Sequence, residues 1–141
     1  MTDDTRPTVL VVDDDPLVRR ALERLLVRMN VQVFIYERSF GLLNRIAELR
    51  PTLVLLDVNM PGLDGAALTT LIRNDKQIAR TRVVLHSALD GESLSRRARE
   101  CGADGFLVKS PGLAGVMDAV SRWVHTPALM EAATSRLAQR A

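Results

Sequence analysis

The sequence has little cysteine, few aromatic residues and almost no excess charge, and each shortage excludes a class of protein. Cys101 is the only cysteine among 141 residues, which excludes an intrachain disulfide and a metal site built from several thiolates. Aromatic residues make up 4% of the chain, too few for a surface on which nucleic-acid bases stack. The 19 basic and 17 acidic residues leave a formal net charge of +2. Direct nucleic-acid binding is therefore not expected from the charge either.

Features that direct a protein into a membrane are also missing from the sequence. No apolar run approaches the roughly 20 residues that span a bilayer. Residues 1–7 lack the basic-then-apolar pattern of a signal peptide. We therefore expect a cytoplasmic protein with no membrane partner. A chain with 47% hydrophobic and 26% charged residues can form one globular domain of this length.

What the sequence does contain is a regular alternation of short apolar runs with segments of helical periodicity. Strands are predicted near residues 9–12, 31–36, 53–56, 82–85 and 106–108. Helices are predicted to begin after the capping residues Asp15, Ser39, Asp64 and Asp90, and a last helix near residues 113–124. Ser39 would cap a helix that already includes Phe40. Alternating strands and helices predict an α/β fold in which helices cover both faces of a parallel sheet.

Charged residues follow three of the predicted strands directly. Asp13 and Asp14 follow the first, Asp57 the third and Lys109 the fifth. The carboxyl ends of parallel strands share one sheet edge, so these side chains should meet in a crevice there. Three neighbouring carboxylates repel one another, and a hard cation such as Mg2+, together with the Lys109 ammonium, would relieve that repulsion. This combination is typical of phosphoryl chemistry.

The sequence resembles a known family, the receiver domain of bacterial two-component response regulators. The matching segments are VVDDDP (residues 11–16), LLDVNMPGLDG (55–65), Ser87-Ala88 and GADGFLVK (102–109). Their order and separations, spread over residues 8–125, make the match specific. The resemblance implies a flavodoxin-like fold with strand order 2-1-3-4-5.

The resemblance also implies the chemistry of the crevice. Asp57 would accept a phosphoryl group from a phosphohistidine of a sensor histidine kinase or phosphotransfer protein. Asp13, Asp14 and Asp57 would hold Mg2+, with the backbone carbonyl of Asn59 as a further ligand.

Three more residues have roles implied by the family. Lys109 and the hydroxyl of Ser87 would each bind a phosphoryl oxygen, and Phe106 would be the aromatic switch residue. Because Phe106 has no hydroxyl, we expect its ring to favour a buried position even without phosphate. The output would pass to a downstream target protein or a second copy through the face formed by helix 4, strand 5 and helix 5.

Two local departures from the family pattern have consequences. The family lysine is usually followed by a cis proline, whereas Ser110 follows Lys109 here, and we expect a trans bond because non-proline cis bonds are costly. Leu89, two residues after Ser87, offers no group that positions a hydrolytic water, which favours a long-lived phosphoryl group.

Some alternatives stay open from the sequence alone. A phosphohydrolase of the haloacid dehalogenase type also uses an aspartate nucleophile, but it needs an acid two residues later, where Asn59 stands. A pseudo-receiver that binds partners without being phosphorylated is the other alternative. We expect residues 1–125 to form the receiver and residues 126–141 a helical tail with no output domain, and we expect a signalling switch rather than an enzyme. His86 is interpreted as a packed residue rather than a phosphoryl carrier.

Overall fold

Five strands and five helices alternate in the computed structural model, which describes residues 5–109 and 113–125. The strands are β1 (Thr8–Val12), β2 (Gln32–Tyr36), β3 (Leu53–Asp57), β4 (Val83–Ser87) and β5 (Gly105–Val108). The helices are α1 (Pro16–Val27), α2 (Leu42–Leu49), α3 (Gly65–Asn74), α4 (Gly91–Cys101) and α5 (Ala114–His125). The predicted helical tail at residues 126–141 and the predicted trans bond between Lys109 and Ser110 lie outside the described residues.

The five strands form one sheet in the order β2-β1-β3-β4-β5, and every neighbouring pair is parallel. The predicted fold class and strand order are therefore confirmed. The register places Asp57 beside His86 and Ser87 beside Val108. The residues that follow β1, β3 and β5 consequently emerge at the same edge of the sheet.

Apolar side chains fill the space between the sheet and a helix layer on each face. On one face Leu10, Leu56 and Leu85 pack with residues of α2, α3 and α4. On the other, Leu55 and Val84 pack with residues of α1 and α5. Successive residues of a strand point to opposite faces of the sheet. Because helices cover both faces, the central strands are apolar at every position that packs against them. Each fully buried aliphatic side chain contributes roughly 1.5–3 kcal/mol, and this packing holds the sheet edge in place.

The helix starts were predicted correctly where an aspartate caps them. The carboxylates of Asp15, Asp64 and Asp90 accept hydrogen bonds from Leu17, Ala67 and Ser93 backbone amides, respectively. None of the helices in the described part of the chain is both long and apolar enough to cross a bilayer.

The predicted start of α2 was wrong. The capping residue is Gly41, whose φ of 82° is left-handed, and the helix begins at Leu42. Ser39 instead donates its hydroxyl to the carbonyl of Pro61 at 3.2 Å. Phe40 precedes the helix and is 86% exposed.

The apolar run at residues 106–108 also predicts that the fifth strand is buried, and this prediction was wrong. β5 is an edge strand, and the exposure of its residues alternates. Phe106 is 38% exposed and Val108 is 41% exposed. Only one face of an edge strand at this position is covered by the core, so an apolar run alone does not make it buried.

Candidate functional site

Three carboxylates converge at the carboxyl edge of the sheet. One oxygen from each of Asp13, Asp14 and Asp57 lies within 4.8 Å of the others. The neighbouring parallel strands β1 and β3 bring them together, because Asp57 ends β3 and the Asp13–Asp14 pair follows β1. Asp13 and Asp57 are buried, whereas Asp14 is exposed. The cluster therefore has a buried floor and one solvent-facing member.

The ammonium of Lys109 closes the cluster from the side of β5. Its Nζ lies 2.9 Å from Asp13 Oδ2 and 3.5 Å from Asp57 Oδ1. The backbone of Lys109 continues the strand ladder, since its amide donates to the carbonyl of Ser87 at 2.7 Å. That backbone bond fixes the root of the side chain beside the two acids.

Burial and the nearby negative charge of Asp13 raise the free energy needed to ionise Asp57. The pKa of Asp57 is raised from 3.8 to about 6, mainly because the carboxylate is buried and next because Asp13 is close, while Lys109 opposes the shift. Burial acts to lower the pKa of Lys109, but its contacts with Asp13 and Asp57 outweigh burial, so that pKa is raised. The lysine is therefore firmly cationic and offsets only part of the repulsion among the acids.

The residues fit a hard divalent cation. Asp13 Oδ1 accepts the amide of Asp15 at 2.9 Å, and Asp57 Oδ1 accepts the amide of Asn59 at 3.1 Å. Asp13 Oδ2 is buried and close to the Lys109 ammonium, but the contact lacks hydrogen-bond geometry. The Asp14 carboxylate makes no hydrogen bond with the residues described. Oxygens that retain acceptor capacity around a shared point are the donor set that Mg2+ binds.

A glycine lets the loop after β3 lie close against Asp57. A Cβ at Gly65 would come within 2.5 Å of the Asp57 carbonyl oxygen and 3.0 Å of the Val58 Cα. The Gly65 amide donates to the Val58 carbonyl at 3.0 Å, which folds the loop between β3 and α3 back onto the strand end. The predicted turn-rich loop after Asp57 thus depends on the missing side chain of Gly65.

Ser87 lies buried at the end of β4, one strand away from Asp57. Its hydroxyl oxygen accepts the amide of Leu89 at 3.2 Å and is 3.5 Å from the side-chain nitrogen of Asn59. From the sequence, Asn59 was expected to contribute only its backbone carbonyl, and the contact of its side chain with Ser87 was not predicted. A polar residue two positions after the nucleophile candidate was the available signal.

Phe106 does not occupy the buried position expected from its lack of a hydroxyl. Its side chain lies on the outward side of β5, consistent with the alternating exposure of that strand. The register places it beside Leu85, on the strand that carries Ser87. The expectation that the ring favours burial without phosphate is therefore wrong for this conformation.

His86 is packed, as predicted, but its surroundings are unusual. It is 2% exposed, and neither ring nitrogen has a hydrogen-bond partner in the described part of the chain. Its pKa is lowered from 6.5 to about 4, mainly by burial and next by Lys109. The imidazole beside Asp57 is therefore neutral at physiological pH.

Sequence reasoning also missed a basic residue that reaches the site from α1. Arg19 Nη1 donates to the backbone carbonyl of Asp13 at 3.0 Å, and Nη2 lies 3.5 Å from Glu37 Oε2. The signal was an arginine one turn into the helix that follows the acidic pair. Nothing in the sequence indicated which carbonyl it would reach.

Comparison with known proteins identifies a family that matches most of the chain. The family model of the response regulator receiver domain matches residues 9–121. The chain is 34% identical over 101 residues to Protein PilG of Pseudomonas aeruginosa, and the aligned region covers 72% of this chain and 75% of PilG. It is 34% identical over 115 residues to Response regulator GacA of Pseudomonas viridiflava, covering 79% of this chain and 52% of GacA. The chain thus spans about half the length of some curated relatives.

Among solved structures, the fold is similar to response regulator protein TrrA of Thermotoga maritima, determined in complex with Mg2+ and BeF. The TM-score is 0.73 with 26% identity, over 83% of this chain and 98% of TrrA. The match to the family model covers most of the chain and includes the acidic cluster and Lys109. The chain belongs to the response regulator receiver domain family.

Proposed function

We propose that this protein is a phosphorylation-dependent signalling switch in which Asp57 accepts a phosphoryl group from a phosphohistidine. The convergence of Asp13, Asp14 and Asp57 around one point, with Lys109 against two of them, carries this proposal. The donor would be a sensor histidine kinase or a phosphotransfer protein, as family membership implies.

Asp57 is suited to act as the nucleophile. Its Oδ1 is occupied by the Asn59 amide and faces Lys109, whereas Oδ2 makes no hydrogen bond with the described residues. With a pKa of about 6 the carboxylate is mostly ionised at pH 7, and it is more basic than an ordinary aspartate. In the transfer, an Asp57 oxygen forms a bond to phosphorus while the phosphorus–nitrogen bond breaks and its electron pair stays on the donor imidazole.

The neighbouring side chains would receive the phosphoryl oxygens. Lys109 is a compact cation next to Asp57 and would bind one oxygen. The hydroxyl of Ser87 would donate to a second phosphoryl oxygen. For this, Ser87 would have to release its present contacts with Leu89 and Asn59.

The acidic residues would hold Mg2+ through the carboxylates of Asp13, Asp14 and Asp57 and the backbone carbonyl of Asn59. When bound, the ion supplies positive charge that the phosphoryl oxygens and the three acids share. The solved complex of TrrA with Mg2+ and BeF supports this assignment for a protein of the same fold.

The output would leave the site through protein contacts. Phe106 and Val108 on β5 and Met117 on α5 are exposed apolar residues on neighbouring elements. If Ser87 shifts toward the phosphoryl group, the Phe106 ring can move inward and change this surface. We therefore propose that a downstream target protein or a second copy binds the α4-β5-α5 face, with residues 1–125 as the receiver and a cytoplasmic location.

The test is phosphorylation by a small phosphodonor. Purified protein incubated with acetyl phosphate and Mg2+ should gain the mass of one phosphoryl group, and the Asp57→Asn variant should gain none. An equal gain in Asp57→Asn, or no gain in the native chain, contradicts the proposal. Steady release of phosphate from phosphate esters would instead support the phosphohydrolase alternative.

A further inference from the structure

We propose that Arg19 is a positioning residue that fixes the backbone of Asp13 so that its carboxylate is preorganised for the cation. This inference rests on the proposed function. The guanidinium donates from Nη1 to the Asp13 carbonyl at 3.0 Å, and its side chain is only 19% exposed. Arg19 therefore contacts a residue of the proposed cation site through the backbone carbonyl of that residue, and its ion pair is with Glu37.

Asp13 is held from four sides. Its amide donates to the Tyr36 carbonyl at 3.2 Å, and its carbonyl accepts from Arg19. Its Oδ1 accepts from the Asp15 amide, and its Oδ2 faces the Lys109 ammonium. These contacts come from β2, α1, the loop after β1 and the end of β5.

Asp14 is the opposite case. It is exposed, and its carboxylate makes no hydrogen bond with the described residues. The acidic pair thus contains one fixed member and one that remains free to adjust to an ion. Mg2+ demands near-ideal octahedral geometry, so a site that binds it well benefits from at least one carboxylate already in place.

The hydrogen bond from Arg19 to the Asp13 carbonyl acts as a brace against electrostatic repulsion between carboxylates. The carboxylates of Asp13 and Asp57 have oxygens within 4.8 Å of each other, and repulsion between two negative charges at that distance would push the loop after β1 away from β3. The guanidinium of Arg19 links Asp13, which follows β1, to Glu37, which follows β2. Because Glu37 is 68% exposed, its ion pair adds little, and the bond to the Asp13 carbonyl is the main element of the brace.

The sign of the effect separates positioning from a general electrostatic influence. Arg19 is a cation near a cation site, so removing its charge alone would strengthen Mg2+ binding. Removing the brace would weaken Mg2+ binding because Asp13 loses its fixed position. A weaker Mg2+ affinity after loss of a positive charge is therefore the signature of positioning.

The experiment is a calorimetric titration of the full chain with Mg2+ at pH 7.5. Arg19→Met should raise the Kd for Mg2+ by about 10-fold, the lower range found for residues that orient metal ligands. Arg19→Lys, which keeps a donor for the carbonyl, should recover most of the affinity. Arg20→Met is the matched control, since it removes the same charge from the adjacent, exposed position on α1, and its Kd should be unchanged or slightly lower.

Phosphorylation kinetics give a second measurement. With acetyl phosphate as donor, Arg19→Met should need more Mg2+ for half-maximal rate, while the rate at saturating Mg2+ stays within about two-fold of native. A Kd for Arg19→Met equal to or below the native value overturns the inference. If that variant does not fold by circular dichroism, Arg19→Ala compared with Arg20→Ala, which also leaves no side-chain donor, decides on the same criterion. A native chain that does not bind Mg2+ would instead contradict the proposed function, whereas native binding with unaltered Arg19 variants removes this inference alone.

Discussion

The Lys109 ammonium lies closer to Asp13 than to Asp57, at 2.9 Å against 3.5 Å. The lysine thus pairs most tightly with the buried acid that follows β1 and only partly neutralises the proposed nucleophile. In the proposed phosphotransfer, this arrangement would leave Asp57 basic enough to attack phosphorus and would keep a positive charge beside the incoming phosphoryl oxygens.

Replacing Lys109 should therefore impair phosphorylation more than folding. Lys109→Met removes the charge that would stabilise the phosphoryl oxygens, and we expect the acetyl phosphate reaction to slow by about 100-fold. The pKa of Asp57 should rise above about 6, because Lys109 now lowers it. Lys76→Met, which removes the chain's other lysine at an exposed position, is the control. A native rate in Lys109→Met would contradict the assigned role.

The raised pKa of Asp57 makes a prediction about stability in the absence of Mg2+. The folded chain binds this proton more tightly than the unfolded chain, since the pKa is about 6 against 3.8. The associated stability is complete below pH 3.8 and is lost as the pH rises through 6. Asp57→Asn should therefore raise the free energy of unfolding at pH 7.5 by about 1–3 kcal/mol, with the gain disappearing toward pH 4.

Urea denaturation from pH 4 to pH 7.5 measures this gain. Asp118→Asn, an exposed carboxylate on α5, should show little pH-dependent gain. Added Mg2+ should stabilise the native chain more than Asp57→Asn. A variant that is less stable than native at pH 7.5 without Mg2+ would contradict the repulsion described for this site.

His86 should produce the opposite pH dependence. Its pKa is about 4 in the folded chain against 6.5, so the unfolded chain binds the proton more tightly, and stability is lost as the pH falls from 6.5 toward 4. His86→Met keeps the volume and removes two buried nitrogens without partners. We expect it to raise the free energy of unfolding by about 1–2 kcal/mol at pH 7.5, and by more at pH 5.

The same urea series tests this prediction. Between pH 6.5 and pH 4 the gain from His86→Met should grow while the gain from Asp57→Asn shrinks. A loss of stability in His86→Met at all pH values would mean that the ring nitrogens make a stabilising contact, and the prediction would be wrong.

The parts of this molecule that the sequence predicted are those governed by local patterns. Strand positions follow from apolar runs, and Asp15, Asp64 and Asp90 cap helices because a short carboxylate reaches a nearby backbone amide. The parallel sheet then places Asp13 and Asp57 side by side without further information.

The parts that it missed depend on contacts between distant segments. Ser39 looked like a cap, but its hydroxyl finds the Pro61 carbonyl instead, and Gly41 takes the capping position. Phe106 is exposed because β5 lies at the sheet edge, a property of strand order rather than of the apolar run. The reach of Arg19 to the Asp13 carbonyl similarly depends on how α1 packs on the sheet.

Gly65 should be irreplaceable even by alanine. A Cβ there would come within 2.5 Å of the Asp57 carbonyl oxygen, which is backbone and has no rotamer to escape into. We expect Gly65→Ala to displace the loop after β3 and slow phosphorylation by at least about 10-fold. Gly91→Ala is a matched control, since Gly91 is also the first residue of a helix and its nearest contact would be a Val108 methyl group at 3.8 Å. Equal phosphorylation rates in the two variants would contradict this reading of the loop.

Leu89 should control how long the phosphoryl group survives. Its amide donates to the Ser87 hydroxyl oxygen at 3.2 Å, so its backbone is anchored beside the site while its side chain is apolar. An apolar side chain cannot orient a water for attack on phosphorus, whereas a carboxylate can accept a proton from that water. Leu89→Glu should therefore shorten the lifetime of phosphorylated Asp57 by about 10-fold, with Leu89→Gln intermediate because it orients water without acting as a base. The decay of the phosphorylated mass after removal of acetyl phosphate measures the lifetime. A slower decay in Leu89→Glu would mean that the native lifetime is set elsewhere, such as by the contact between Asn59 and Ser87.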